Sequence, residues 1–159
     1  MAKATPATRV LDRAGVGYTL HTYVYDSGAG KIGLQAAEAI GASPGRVFKT
    51  LMARVDDKAV CVLIPSDREA SMKKLASVFG GKTAHMMRPE EAEKFTGYHV
   101  GGISPLGQKR MVPTAVDDAA LAFDTVFING GQRGLQAEVA PAALLKVLEA
   151  PTVSLTAEN

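Results

Sequence analysis

Two runs dominated by apolar residues stand close together in the chain, Val47-Phe48-Lys49-Thr50-Leu51-Met52-Ala53-Arg54-Val55 and Ala59-Val60-Cys61-Val62-Leu63-Ile64. Only Asp56-Asp57-Lys58 separates them, so the pattern predicts a β-hairpin. Residues 18–25 alternate with period two, placing Tyr18, Leu20, Thr22 and Val24 on one face and Thr19, His21, Tyr23 and Tyr25 on the other. The second face carries polar tips and suits either a pocket wall or a half-solvated surface. Further strands are expected over 82–87, 111–116, 125–129 and 135–139, with an extended tail over 152–155.

Helical spacing fills the intervals. A short helix runs from Thr5 or Pro6 to Ala14 and stops at Gly15, and an Ala-rich one over 34–40 ends at Gly41. Between them, residues 26–30 read as a loop. Asp67 is the expected cap of a helix over 68–79 with Met72, Leu75, Ala76 and Phe79 inward. Pro89 and Pro141 open two more helices, the first halted by Gly97 and the second carrying Leu144, Leu145, Val147 and Leu148. Short helices interspersed with strands imply an α+β fold. With 159 residues, one domain over 1–159 is expected.

Gly97-Tyr98-His99-Val100-Gly101-Gly102-Ile103-Ser104-Pro105-Leu106-Gly107-Gln108-Lys109-Arg110 fits neither period. Four glycines and a proline fall within the eleven residues from Gly97 to Gly107. Such a stretch is either a wide turn or a backbone-lined ligand site. Asn129-Gly130-Gly131-Gln132-Arg133-Gly134 forms a second glycine-rich turn. Lys49 shares the face of Val47 and Leu51, an unusual place for an ammonium. It either snorkels to the edge or points into a polar cleft where an anion or carbonyl sits.

Composition narrows the chemistry. Eighteen Lys and Arg against sixteen Asp and Glu give +2, too little to announce nucleic-acid binding, although Lys109-Arg110 abut the glycine loop and Arg46 and Lys49 form another local concentration. Cys61, the single cysteine, reads as a buried hydrophobe. His21, His85 and His99 are isolated, so no metal site is expected. Neither glycine turn matches the dinucleotide or phosphate-loop pattern, and Ser104 lacks a nucleophile elbow. No cofactor is therefore implied. Without a secretory leader pattern or an 18-residue apolar run, membrane association is not expected and a cytoplasmic location is.

Three stretches carry a family resemblance together: residues 47–51, residues 96–109, and Gly130-Gly131-Gln132-Arg133-Gly134-Leu135. The chain resembles the bacterial YbaK/EbsC family, itself similar to the editing domain of prolyl-tRNA synthetases. The resemblance implies a mixed β-sheet curled into a partly open barrel flanked by short helices. It also implies a trans-acting aminoacyl-tRNA deacylase that clears Cys-tRNA(Pro), sometimes also Cys-tRNA(Cys), with prolyl-tRNA synthetase as a candidate partner in a ternary complex. On this resemblance Lys49 is the functional residue. Tyr23, Ile32, Thr50, Gly101, Gly102, Ile103, Ser104, Pro105, Asn129, Gly130 and Gly131 are the expected substrate-binding positions. Lys49 would orient the ester while backbone amides near Gly101 and Gly102 stabilise charge on its carbonyl oxygen. In cysteine-specific relatives the substrate thiol is thought to attack its own ester, which leaves no need for a protein nucleophile. Val24 and Tyr25 replace an acidic residue and a histidine usual in the family, Leu34 and Gln35 replace an acidic pair, and Asn129 stands where serine is frequent. These departures put the identity of the amino acid in question. An alanine-selective deacylase and a non-catalytic tRNA- or synthetase-binding module are the alternatives.

Overall fold

The expected hairpin is the centre of the molecule. In the computed structural model, which describes residues 4–29 and 31–158, β2 (Phe48–Val55) pairs antiparallel with β3 (Lys58–Pro65) from Phe48 opposite Pro65 to Val55 opposite Lys58. Numbered in chain order, the other strands are β1 (Thr19–Thr22), β4 (Ala84–Met86), β5 (Thr114–Asp117), β6 (Val126–Asn129), β7 (Leu135–Val139) and β8 (Thr152–Val153). The helices are α1 (Pro6–Arg13), α2 (Ile32–Ile40), α3 (Met72–Val78), α4 (Pro89–Thr96) and α5 (Pro141–Leu148). Residues 1–3, Gly30 of the expected loop, and residue 159 lie outside the described residues.

The strands form two sheets. Five strands in the order β4-β2-β3-β5-β8 make a mixed sheet, antiparallel at β4/β2 and β2/β3 and parallel at β3/β5 and β5/β8. Three strands in the order β1-β7-β6 make an antiparallel one. A parallel bridge between Val47 and Phe127 joins them where β2 begins, so the two sheets make a curved wall that does not close. The fold is α+β, with short helices packed around these sheets.

Burial follows from the strand pattern. Leu11, Phe48, Leu63, Val116, Ile128, Val139 and Leu144 form one core cluster that reaches from α1 and α5 across both sheets. Val55, Val60, Ile64, Leu75 and Leu155 form another beneath α3. Cys61 is fully buried, and burial pushes its thiol up to about 12, so it packs as a small hydrophobe.

Three elements depart from the periodicity. The strand expected over 18–25 ends its pairing at Thr22. One further bond, from the Tyr23 amide to the Gly134 carbonyl, carries it past the end of β7, and Val24 is left 92% exposed. The strand expected from Met111 begins only at Thr114, because Pro113 has no N–H for a ladder and Met111 lies in solvent. The helix expected from Arg68 under an Asp67 cap starts instead at Met72. Arg68 donates back to the Pro65 carbonyl in a turn, and Ser71 is held to the Leu155 carbonyl. The Ser71 hydroxyl accepts from the Lys74 amide at 3.1 Å and is the cap.

That reassignment is testable. Ser71→Ala is expected to lower stability by about 1 kcal/mol in urea unfolding, as loss of an N-cap does. Asp67→Ala, an exposed residue outside the helix, is expected to stay within about 0.5 kcal/mol of the parent.

Candidate functional site

Asn129, the last residue of β6, is buried, and its carboxamide makes three hydrogen bonds. It donates to the Gly101 carbonyl at 2.9 Å and accepts from the amides of Gly131 at 2.7 Å and Gln132 at 3.2 Å. The side chain therefore fastens the first glycine loop to the second. Gly101 has φ +95° and lies against Tyr25. A Cβ there would sit 2.8 Å from the Tyr25 hydroxyl, so both its backbone and its surroundings require glycine.

Gly101 forms part of the wall of a cavity of about 220 Å³ at the start of β2. Lys49, Thr50, Ile32, Ile103, Asn129 and Gln136 also face it. Ile32 opens α2, which is brought onto the cavity by close packing. Gly33 lies so near Ser66 that a Cβ would fall 2.2 Å from the serine hydroxyl, and that hydroxyl donates to the Val47 carbonyl.

The ammonium of Lys49 is only loosely partnered. Its side chain is 25% exposed, and its nearest carboxylate oxygen, on the exposed Glu69, is 4.0 Å away. Burial holds its pKa below the ordinary lysine value, assisted by repulsion from Lys31, while Glu69 and Asp67 oppose the shift. Thr50 Oγ1 and Gln136 Oε1, both in residues facing the cavity, are buried without a hydrogen-bond partner. The Tyr23 hydroxyl is buried beside Gln136 without a well-formed bond, its ring packed on Ala36, Ala37, Val47 and Phe127. Burial raises its pKa, partly offset by the Gln136 side chain and the Gly134 backbone. A buried polar atom left without a partner costs about 1–3 kcal/mol, and here such atoms gather around an open cavity with a partly desolvated cation.

Not every expected position meets here. Gly102 and Gly131 face a separate, mainly apolar cavity of about 310 Å³ on the other side of the glycine loop. The Gly102 amide donates to the His99 carbonyl at 2.8 Å, so it is already engaged in a turn. Ser104 is fully buried, and its hydroxyl accepts from the Leu106 amide at 3.2 Å. Pro105 lines a third cavity, of about 320 Å³, beside α1. Gly130 packs on the Leu135 side chain, and its carbonyl accepts from Thr5 at 2.6 Å. These residues shape the two loops from behind. His21 and Arg46 are also elsewhere, both on Glu138, at 2.9 and 3.4 Å. The larger cavities hold none of the unpartnered buried polar atoms found among the described residues.

Gln136 and Gly33 are the residues that sequence reasoning missed. Gln136 lies opposite His21 in the β1–β7 register and opposite Asn129 in the β6–β7 register. A polar residue at an inward position of the buried strand Leu135–Val139 was the signal available. Among the described residues no group of His, Cys, Asp and Glu could hold a metal ion, and no helix is long and apolar enough to cross a membrane.

Residues 30–147 match the model of the aminoacyl-tRNA editing domain. A protein of Enterococcus faecalis named as a candidate Cys-tRNA(Pro)/Cys-tRNA(Cys) deacylase, EbsC, is 36% identical over 125 residues, covering 77% of this chain and 76% of its own. A proline–tRNA ligase of a Geobacillus species is 30% identical over 96 residues, which cover 60% of this chain and 16% of the ligase. A crystal structure described as a candidate trans-editing enzyme for prolyl-tRNA synthetase superposes with a TM-score of 0.82 at 25% identity, over 99% of this chain and 100% of that one.

The lowered pKa of Lys49 has a measurable consequence. The unfolded chain holds the lysine proton more tightly than the folded chain, so the folded state is penalised at neutral pH and recovers as pH rises through the lowered pKa toward 10.5. Lys49→Met is therefore expected to gain more stability at pH 7 than at pH 10 in urea unfolding. A gain equal at both values would contradict a desolvated ammonium.

Proposed function

The chain belongs to the aminoacyl-tRNA editing-domain family, and we propose that it acts in trans as a deacylase that releases a small mischarged amino acid from tRNA, cysteine on tRNA(Pro) first among them. The observation that carries this reading is the pairing of a loosely partnered Lys49 with the Gly101 backbone across one cavity of about 220 Å³. That volume accommodates a small aminoacyl ester.

In this reading the Lys49 ammonium orients the ester and draws charge toward its carbonyl oxygen. Its weak tie to Glu69 leaves hydrogens free to donate, and partial burial strengthens the attraction. Backbone at Gly101 completes the wall, while the Gly102 amide, already bonded to His99, takes no part. Thr50 and Gln136 receive the substrate's ammonium and side-chain donor. An alanyl ester satisfies one of these groups and leaves the other unpaired, whereas a thiol or hydroxyl engages both.

No protein nucleophile is required. With cysteine, the substrate sulphur bonds to its own carbonyl carbon, the ester C–O bond breaks, and the thiol proton passes to the departing ribose oxygen. With serine or alanine, water is the attacking group. Holding the thiol close to the carbonyl supplies much of the rate in the first case.

Cys-, Ser- and Ala-tRNA(Pro) offered in parallel test the assignment. Cysteine is expected to be released fastest and alanine slowest, and Lys49→Ala is expected to slow release of cysteine by about 10²–10³-fold, the loss typical of one preorganised electrostatic donor. Release by Lys49→Ala at the parental rate would remove the lysine from the chemistry.

A further inference from the structure

The molecule carries a basic recess that the deacylation site does not use. Arg54 of β2, Lys94 and Phe95 of α4, and Lys109 and Arg110 at the end of the glycine loop surround it, with Glu91. Four cations against one carboxylate give a local net charge of +3, in a chain whose total is +2. The charge that composition appeared to lack is thus gathered in one place.

Its acids are committed elsewhere or already matched. Glu91 accepts from Arg54 at 2.6 Å, and Arg54 also donates to the Asp57 carbonyl at 2.7 Å. Glu93, on the same helix, accepts from the Val100 amide at 2.7 Å and lies 3.6 Å from His99. Lys94, Lys109 and Arg110 are exposed and form no ion pair with the described residues. The guanidinium carbons of Arg54 and Arg110 lie 5.8 and 5.2 Å from the centre of the Phe95 ring. Stacking on that ring holds Arg110 at the rim without using its donors.

The recess and the site lie along one strand. Thr50, Met52 and Arg54 share one face of β2, since alternate residues of a strand point the same way. Thr50 faces the cavity, Met52 packs in one cluster with Phe95 and Ile103, and Arg54 opens on the recess. Four residue-to-residue steps along the strand carry Thr50 to Arg54, about 13 Å. A stacked nucleic-acid strand advances about 3.4 Å per phosphate. The distance therefore corresponds to about four nucleotides, where the unpaired 3′ end of a tRNA meets its paired stem.

We propose that Lys94, Lys109 and Arg110 bind the sugar-phosphate backbone of the tRNA acceptor strand, about four nucleotides from the esterified end. The proposal rests on the deacylase reading for the location of that end. These are phosphate contacts, so they position the substrate and add salt-dependent affinity without reading sequence.

Binding of uncharged tRNA(Pro), measured by fluorescence anisotropy at several salt concentrations, tests the face separately from the chemistry. Lys94→Ala/Lys109→Ala/Arg110→Ala is expected to weaken binding at low salt at least about tenfold and to reduce the slope of log K against log salt by about 2. Cleavage of 3′-cysteinyl-adenosine, which carries no phosphate, is expected to be unchanged in that variant. The charge-keeping Lys94→Arg/Lys109→Arg/Arg110→Lys is expected to retain the parental slope. An unchanged slope in the alanine variant would overturn the proposal, as would parental protein that fails to bind tRNA at low salt. An effect seen only when prolyl-tRNA synthetase is added would also overturn it, assigning the face to a protein. Failure of the parent to cleave the adenosine ester or any charged tRNA would instead remove the deacylase reading and leave the binding result standing.

Discussion

The carboxamide of Asn129 holds together two glycine turns that lie about thirty residues apart in the chain. Its amide nitrogen fixes the Gly101 carbonyl and its oxygen collects the amides of Gly131 and Gln132. All three partners are backbone groups, so one buried side chain ties the two loops at a fixed separation. The wall opposite Lys49 depends on that separation. Tyr25 braces Gly101 from outside, and the Arg133 guanidinium, over the Tyr25 ring and bonded to the Val100 carbonyl, closes the support. An apolar residue at 129 would leave the buried Gly101 carbonyl without its partner, at about 1–3 kcal/mol.

Against this rigid wall the molecule sets a cation that it has declined to neutralise. Other charges near the sheets are closely matched: Glu138 gathers His21, Arg46 and the Thr125 hydroxyl, the last at 2.6 Å, and its carboxyl pKa is lowered, chiefly by Thr125. Lys49 has only a distant and exposed Glu69. A partly desolvated ammonium beside unpartnered Thr50 and Gln136 is costly in the free protein and useful when a substrate supplies the missing partners. The same logic separates the site from the larger cavities. Those are roomier, but among the described residues they contain no buried polar side-chain atom left without a partner.

Much of the fold was legible because local chemistry and tertiary structure agree. The hairpin of β2 and β3, the proline-started α4 and α5, and the boundaries of β7 follow from apolar runs and from Pro and Gly punctuation. Legibility failed where a distant segment decides. Residues 18–25 alternate throughout, yet only four of them pair with β7. Ser71 displaced Asp67 as a cap because the chain's far end, at Leu155, seizes its amide. At the site, residue types pointed to Lys49 and to the glycine loop, with the alternatives of a wide turn or an edge-seeking lysine open. Which glycine faces the cavity was not legible, since Gly101 and Gly102 are adjacent and differ in direction. Gln136 was hidden for a similar reason: its role arises from β7 lying between β1 and β6.

A crystal structure with a stable amide analogue of 3′-cysteinyl-adenosine tests the central claim most directly. The aminoacyl group is expected in the cavity at the start of β2, with its carbonyl oxygen at hydrogen-bond distance from Lys49 Nζ and with Thr50 Oγ1 and Gln136 Oε1 each newly paired with the ligand. An aminoacyl group seated behind the glycine loop, between Tyr98 and Gly131, or one in the β2 cavity that leaves Lys49 untouched, would contradict it.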